Sequence, residues 1–351
     1  MDIIAIIDKL IDALTNSVGL ALVGALFLLF AAVSLLKLAI AISRKCNTKA
    51  AFASKPPRDA FAGKTIWISG ASSGYGRALA LHLCSHHDDV QLILSSRRKS
   101  VLEEVATMCL AAGNGRASVK VLPLDLNDFA SLPSKVEEAI SLFDSPIDIL
   151  VNNGGITTRS LATNATFGVD ERVIRVDFLA YVLLTKCLLK SCWERQEMKT
   201  NPIIINTTSV AGKVGLPVRT AYCGAKHALH GWFDSLRMEQ SIINGKPIHI
   251  LNVVLGSTRT NIARNAITSN PETKFGDDTV DMNIESGLDP NFVVERVVAV
   301  AYARQDEIWI APRKELLVLY LSQYFPEMAK KLISKKFAKQ YAVQGSKEKK
   351  L

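Results

Sequence analysis

The sequence contains cysteine, but it lacks the groupings of cysteine and histidine that hold a metal. No C-x-x-C pair is present, so a structural zinc site is disfavoured and no metal site is predicted. Cysteines that stand singly indicate a reducing compartment rather than a disulfide-linked secreted domain. The six cysteines stand at positions 46, 84, 109, 187, 192 and 223.

Internal repeats are also absent, which argues against a solenoid. Aromatic residues make up only 7% of the chain, and no basic patch carries interleaved aromatic side chains. The net charge of +9 is then the only feature that favours a nucleic-acid partner, and we expect none. A modest positive charge suits a membrane surface or an anionic ligand equally well.

A long uncharged run near the N-terminus predicts one membrane-spanning helix over residues 18–42, interrupted by Lys37. About 20 apolar residues are enough to cross a bilayer. A cleaved signal peptide is the alternative, but the amphipathic segment 1–17 has no net positive charge. Basic residues follow the run, beginning at Arg44 in a predicted linker over residues 43–62, which places the rest of the chain in the cytosol.

Strand and helix patterns alternate over residues 63–312, which predicts an α/β fold with a single doubly wound parallel sheet. The predicted strands are 64–69, 90–95, 117–122, 147–151, 203–207, 249–255 and 308–311. The predicted helices are 77–83, 100–112, 129–143, 178–193, 221–243 and 291–303. We interpret this region as one nucleotide-binding catalytic domain.

The first strand leads into a glycine turn with the spacing G-x-x-x-G-x-G. A strand, a glycine turn and a helix together place a pyrophosphate on the free N–H groups of a helix N-terminus. Glycine also lets the backbone approach a ligand where a Cβ atom would collide. A tight turn without a ligand is the alternative. The predicted cofactor-binding residues here are Gly70, Ser72, Ser73, Gly74 and Gly76.

The end of the second strand carries Arg97 and Arg98, where an acidic residue would accept the ribose hydroxyls of NAD. A guanidinium group matches the charge and shape of a 2′-phosphate, so we expect NADP(H), with a solvated basic loop as the alternative. Asp125 follows the third strand and is predicted to accept a hydrogen bond from the adenine amino group. Asn152 and Gly154, after the fourth strand, are predicted to let the backbone pass close to the cofactor.

Tyr222 and Lys226 stand four residues apart and therefore share one helix face. A nearby ammonium group stabilises a phenolate, which lets a tyrosine give its proton to a carbonyl oxygen. Ser209 ends a different predicted strand and is placed to bind the same oxygen. A Y-x-x-x-K spacing alone is common in helices, but a serine thirteen residues earlier and a glycine turn before both argue against chance.

These motifs over residues 63–312 resemble the short-chain dehydrogenase/reductase family, in particular its membrane-anchored branch of the member 7B type. The resemblance implies a Rossmann fold, a nicotinamide cofactor and Tyr222 as general acid. It further implies that Lys226 binds the nicotinamide ribose and that Gly256 and Thr260 lie near the nicotinamide carboxamide. Homodimers are a family expectation.

Three positions depart from the family pattern, of which the smallest change is Gly154 in place of the alanine of the usual Asn-Asn-Ala-Gly. Asp177 stands where the family usually has an asparagine that holds a water molecule of the proton relay. A carboxylate accepts hydrogen bonds but cannot donate as an amide does, so either the relay tolerates Asp177 or turnover is reduced. Leu255 replaces the usual proline before Gly256, which makes that turn less rigid. The alternative to an active enzyme is an NADP(H)-binding scaffold.

A membrane anchor suits a lipophilic carbonyl substrate, and residues 257–288 are predicted to form a mobile lid over it. The resemblance points to acyl- or alkyl-dihydroxyacetone phosphate, with steroid or retinoid carbonyls as further candidates. The tail, 313–351, is basic and partly apolar, and it either rests on anionic lipid or is solvated. Its last five residues resemble a dilysine retrieval signal, which favours the endoplasmic reticulum over the peroxisomal membrane.

A phosphorylated substrate would need a cation close to Tyr222, and Arg219 lies three residues before it. Arg159 is the other candidate, although a surface role is the simpler interpretation for it. We predict that Arg219→Ala raises the KM for a phosphorylated ketone more than for a neutral ketone, because only the first carries the charge that the guanidinium would bind. Equal effects on both ketones in steady-state kinetics would remove this role.

Overall fold

A computed structural model describes residues 3–15, 17–52, 55–194, 202–243, 248–276 and 282–348. Seven parallel strands form one sheet in the order β3-β2-β1-β4-β5-β6-β7. The chain starts in the middle, moves outward through β2 and β3, and returns to build the other half. The doubly wound sheet predicted from the sequence is confirmed. The strands are β1 Thr65–Ser69, β2 Val90–Ser95, β3 Ala117–Val121, β4 Ile149–Asn152, β5 Ile203–Ser209, β6 His249–Leu255 and β7 Glu307–Ile310.

Helices precede the sheet, cover both of its faces and follow it. Short 3-10 turns lie at Ala50–Phe52 and Val210–Gly212, and a π-helical turn, Arg175–Leu179, joins α6 to α7. The α-helices are α1 Ile3–Thr15, α2 Ser17–Arg44, α3 Gly74–His86, α4 Lys99–Gly113, α5 Leu132–Ser141, α6 Phe167–Ile174, α7 Ala180–Glu194, α8 Thr220–Ile243, α9 Met282–Glu285, α10 Pro290–Tyr302, α11 Arg313–Tyr324 and α12 Pro326–Glu348.

The sheet is buried on both faces, as expected of parallel strands that helices cover on each side. Successive residues of β1 face opposite layers: Ile66 and Ile68 belong to one apolar cluster, and Trp67 belongs to the other. All three side chains are buried. The first cluster packs against α3, α4 and α10, and the second against α5, α7 and α8.

A row of three buried asparagines crosses the sheet at matching register. Asn152 on β4 donates to Asn206 on β5 over 3.0 Å, and Asn206 donates to Asn252 on β6 over 3.1 Å. Asn252 in turn donates to Asp234 on α8. Buried amides need partners, and each of these amides makes at least one hydrogen bond within the row. Asn206 also begins an N-x-T pattern, Asn206-Thr207-Thr208, which is therefore enclosed in the sheet.

The apolar helix α2 includes a stretch of 26 residues, Gly19–Arg44, with a mean hydropathy of 2.6. By length and composition it could cross a membrane. Its last turn contacts the domain, because Ala41 is buried in an apolar cluster that also contains Leu316 and Leu319 of α11.

The beginning of the predicted linker 43–62 pairs with the edge of the sheet. Cys46 forms an antiparallel bridge with Ile310 of β7. The backbone N–H of Asn47 donates to the carbonyl of Trp309, whose own N–H donates to the Asn47 side chain over 2.8 Å. These contacts attach the end of α2 to β7.

The predicted lid is described in part, since residues 277–281 lie outside the described residues. Its first half folds back on the loop after β4: Ile267 pairs with Thr158, and the N–H of Thr166 donates to Ser269. Residues 349–351 of the predicted retrieval signal also lie outside the described residues.

Candidate active site

The strand order reverses between β1 and β4, and ligands of doubly wound sheets bind at this point, beyond the carboxyl ends of the strands. Gly70, directly after β1, has a φ of +69°. A Cβ atom on Gly70 would lie only 2.5 Å from the Cα atom of Gly154, which follows β4. There is no room for a side chain between the two turns. Glycine at both Gly70 and Gly154 therefore lets the turns after β1 and β4 touch.

A serine and an asparagine lock the two turns together. The Ser69 hydroxyl accepts hydrogen bonds from the backbone N–H groups of Asn153 and Gly154, at 2.9 and 3.2 Å. The Asn153 side chain donates to the carbonyls of Ser69 and Gly70. Sequence reasoning missed both roles. A serine at the end of a buried strand, together with an Asn-Asn-Gly-Gly turn, is the signal that could have found them.

The N-terminus of α3 meets the requirements for binding a pyrophosphate. Ser73 precedes the helix in an extended conformation, and no side chain caps the first turn. Gly74 has a φ of +56°, and a Cβ atom there would lie 3.1 Å from the methyl group of Thr260. Uncapped N–H groups at a helix start attract anions. Thus the structure brings Gly70, Gly74 and Thr260 around one cradle that fits a dinucleotide.

The other predicted cofactor residues occupy different surroundings. Arg97 and Arg98 are exposed after β2, and within the described ranges neither forms an ion pair. Asp125 is exposed, and one of its carboxylate oxygens accepts from the Asn127 N–H. Asn152 is fully buried, and its side-chain amide donates to Asn206 in the asparagine row. This amide therefore stabilises the sheet below the turn that follows β4.

Close packing of backbone brings the end of β5 onto α8. A Cβ atom on Gly212 would lie 2.7 Å from the carbonyl oxygen of Lys226, so glycine lets the 3-10 turn after Ser209 rest directly on the helix. The Ser209 hydroxyl accepts from the Ala211 N–H at 3.2 Å. Tyr222 lies one turn before Lys226 on α8 and is 9% exposed.

The ammonium group of Lys226 is buried and has ordered partners. Its Nζ atom lies 3.2 Å from Asp177 Oδ2 and donates to the carbonyl of Thr207 at 3.1 Å. The same Nζ lies 5.4 Å from the ring centre of Tyr181 and 5.6 Å from that of Tyr222. Burial alone would lower the pKa of Lys226, but the acidic groups around it outweigh burial and raise that pKa.

Asp177 lies in the π-helical turn between α6 and α7, a kind of irregular turn often found at functional sites. Its second carboxylate oxygen accepts from the Ile156 N–H at 2.7 Å. A Cβ atom on Gly155 would lie 3.0 Å from Asp177, so that glycine leaves room for the carboxylate. Burial raises the pKa of Asp177, and Lys226 partly offsets this effect.

A second polar cluster fixes the end of β5 beneath Ser209. The Thr208 hydroxyl and His230 Nε2 are 3.1 Å apart, and His230 Nδ1 is 3.3 Å from Glu307 on β7. Lys213 also pairs with Glu307, at 2.8 Å. Burial would raise the pKa of Glu307, but His230 and Lys213 outweigh it and lower the pKa to about 2. The cluster joins β5, α8 and β7 through a charged carboxylate.

The segment before α8 is strained. Val218 has a φ of +61°, a conformation that β-branched residues rarely adopt. Its carbonyl accepts from the N–H of Ser160 and the hydroxyl of Thr158 on the loop after β4. Arg219 follows directly and is half-buried. Strain of this kind is often concentrated at functional sites.

Gly256 packs against α11, because a Cβ atom there would lie 2.5 Å from Ala311 and 2.6 Å from the Glu315 carboxylate. That carboxylate accepts from the N–H and the hydroxyl of Ser257, at 2.8 and 2.6 Å. The turn after β6 lacks the family's proline and is held instead by these contacts.

Known proteins resemble this chain in both sequence and fold. The profile of the short chain dehydrogenase family matches residues 64–271. A relative, dehydrogenase/reductase SDR family member 7 from Homo sapiens, is 35% identical over 266 residues, or 75% of each chain. The chain belongs to the short-chain dehydrogenase/reductase family.

Further comparisons agree with membership of the short-chain dehydrogenase/reductase family. Dehydrogenase/reductase SDR family member 7B from Bos taurus is 28% identical over 278 residues, which are 78% of this chain and 82% of that protein. A crystal structure of a short-chain dehydrogenase/reductase from Burkholderia phymatum in complex with NAD has the same fold. It matches with a TM-score of 0.63 and 22% identity, over 76% of this chain and 95% of that chain. The chain is therefore an oxidoreductase by family.

We predict that Asp177→Asn lowers the free energy of unfolding by about 3 kcal/mol at pH 7, because it leaves a buried ammonium without its carboxylate. In the wild type the pKa of Lys226 is raised by folding. Its contribution to the free energy of unfolding is therefore fully present below pH 10.5, the ordinary lysine pKa, and is lost only at higher pH. In the variant we expect burial to dominate and to lower the pKa of Lys226. The free energy of unfolding of the variant should then rise as the pH approaches 10.5.

Urea unfolding between pH 6 and pH 10 would measure this difference, which we expect to narrow as the pH rises. Glu171→Gln removes an exposed carboxylate from neighbouring α6, and its effect should stay within about 0.5 kcal/mol at every pH. A pH-independent difference for Asp177→Asn would contradict the assigned role of the carboxylate.

Proposed function

We propose that the protein is a membrane-anchored, NADPH-dependent reductase that converts the carbonyl group of a lipophilic substrate to an alcohol. The observation that carries this proposal is the pairing of buried Lys226, one helical turn after Tyr222, with Asp177, whose carboxylate lies against Gly155 beside the glycine turn that touches Gly70. Family membership supports the reaction class. The identity of the substrate and the assignment of roles are our inference.

In this proposal the residues of the cradle hold the dinucleotide, which supplies the hydride when bound. The Tyr222 hydroxyl donates its proton to the carbonyl oxygen of the substrate as general acid. Ser209 donates a hydrogen bond to the same oxygen and orients it. Lys226 stays charged, binds the nicotinamide ribose and stabilises the phenolate that Tyr222 leaves behind.

Asp177 takes a direct part in holding the charge on Lys226. In a buried site a nearby negative charge helps an ammonium group to keep its proton, because the charge compensates for lost hydration. The 3.2 Å contact with Asp177 supplies that charge. We therefore favour an active enzyme in which the carboxylate replaces the usual amide, over the alternative of a catalytically weak scaffold.

The preference for NADPH is inferred from Arg97 and Arg98. Both are exposed after β2, next to the point where the adenosine ribose would lie, and they would bind the 2′-phosphate of NADP(H). Asp125 would bind the adenine, and Thr260 would lie beside the nicotinamide carboxamide.

The remaining parts of the proposal concern place and partner. Helix α2 would cross the membrane of the endoplasmic reticulum once, with the catalytic domain in the cytosol. A peroxisomal membrane is the second choice. The substrates would be acyl- or alkyl-dihydroxyacetone phosphate, or steroid or retinoid carbonyls, and Arg219 would bind a substrate phosphate. The protein would act as a homodimer.

We predict that Tyr222→Phe lowers kcat for NADPH-dependent ketone reduction by at least about a hundredfold, because it removes the proton donor. The affinity for NADPH, measured by fluorescence titration, should change less than threefold. Reduction of a panel of lipid ketones by the full-length protein in detergent is the measurement. Equal rates for wild type and variant would favour the scaffold.

We also predict that the double change of Arg97→Ala and Arg98→Ala weakens NADPH binding by at least about tenfold, because a charged phosphate loses its partners. Binding of NADH should change little. Lys99→Ala is the matched control, since this neighbouring lysine pairs with Glu103 at 3.7 Å. Parallel losses for NADPH and NADH would contradict recognition of the 2′-phosphate.

A further inference from the structure

A cavity of about 410 Å³ lies between the loop that precedes α8, the first turn of α8 and the C-terminal helix α12. Its volume is within the range of pockets that bind small molecules. Leu216, Pro217, Cys223 and Ile333 give it mainly apolar walls. Because the cavity combines side chains from α8 and α12, its shape depends on the tail as well as on the catalytic domain.

The cavity shares helix α8 with Tyr222 of the candidate active site. Cys223, which follows Tyr222 on α8, lines it. The Sγ atom of Cys223 accepts from the Leu216 N–H at 3.3 Å, so the thiol holds the loop against the helix. Burial raises the pKa of Cys223, which keeps the thiol neutral and this wall apolar.

The charge of the cavity favours a neutral occupant. Lys330 is the one charged residue among the described residues that line it, and its ammonium group lies 2.8 Å from the Glu327 carboxylate. The positive charge is therefore already compensated within α12. A second anion would have to compete with Glu327, whereas a hydrocarbon chain would not.

Helix α12 turns different faces toward the domain and toward solvent. Ala329 is buried and Ile333 half-buried on the inner face, whereas Met328 and Leu332 are 46% and 47% exposed on the outer face. Exposed lysines, including Lys331, flank them. The inner face therefore packs on the domain, and the outer face leaves two apolar side chains at the surface among lysines.

Two residues that line the cavity also pack near the end of the proposed membrane anchor. Ala41 of α2 shares one buried apolar cluster with Leu316 and Leu319 of α11, and both Leu216 and Ile333 pack against that cluster. Apolar packing thus connects the last turn of α2 to two walls of the cavity. The cavity therefore lies at the same end of the domain as the proposed anchor.

From these observations we propose that the cavity binds the unbranched hydrocarbon chain of the carbonyl substrate, with α12 as its outer wall. The inference rests on the proposed reductase function and narrows its substrate class to long-chain aliphatic carbonyl compounds. Compact ring ketones would leave the cavity unused.

The test uses methyl ketones from butanone to dodecanone with the full-length protein in detergent. In the wild type, kcat/KM should rise about fourfold for each added methylene until the cavity is filled. Ile333→Trp fills part of the cavity and should lower kcat/KM for dodecanone at least tenfold more than for butanone. Leu332→Trp changes the adjacent exposed residue and should retain the wild-type dependence on chain length.

Two further measurements separate this inference from the proposed function. Leu216→Ala enlarges the cavity and should move the optimum to longer chains. Calorimetric binding of dodecanone requires no turnover: binding to wild type and Leu332→Trp, with at least a tenfold loss in Ile333→Trp, would support the cavity even if no ketone were reduced. Reduction that is independent of chain length, or the absence of dodecanone binding to the wild type, would overturn the proposal.

Discussion

A buried ammonium group is the constraint on which the candidate active site depends. Lys226 cannot stay charged in the interior without compensation, and its partners lie on three separate parts of the chain. Asp177 comes from the π-helical turn, Thr207 from β5, and Tyr181 from the start of α7. Satisfying one charge therefore fixes the positions of α6, α7 and β5 relative to α8.

Glycine gives the site its second constraint, close contact between backbones. Gly70 against Gly154 joins the turns after β1 and β4, and Gly212 against Lys226 joins the turn after β5 to α8. At each of these contacts, the methyl group of an alanine in place of the glycine would push the two backbones apart. These contacts fix the turn after β4 against the turn after β1, and the turn after Ser209 against the helix that carries Tyr222.

Much of the fold could be predicted from the sequence because each strand is a short apolar run between turn signals. The bounds of β2 and β6 agree with the predicted ones, and the parallel sheet follows from the alternation of strand and helix. The helical segment 167–177 was missed, since Gly168 and several charged residues interrupt its apolar pattern. Only Val169 and Val173 of α6 are buried.

The site was harder to predict where its residues act through contacts distant in sequence. Tyr222 and Lys226 form a local motif and could be named from their spacing. Nothing local to Asp177 indicates that it pairs with Lys226, and Asn153 holds Gly70 only after folding brings β1 beside β4. Pattern reasoning finds side chains that share one helix, whereas ion pairs between elements depend on tertiary packing.

The pairing of Cys46 and Asn47 with β7 has a consequence for the solubility of the domain. An uncovered outer strand offers its free N–H and C=O groups to the strands of neighbouring molecules. At one edge of the sheet the chain after α2 pairs with β7. At the other edge β3 carries the exposed side chain of Lys120. Thus the segment that joins helix to domain also guards against intermolecular β-sheet aggregation.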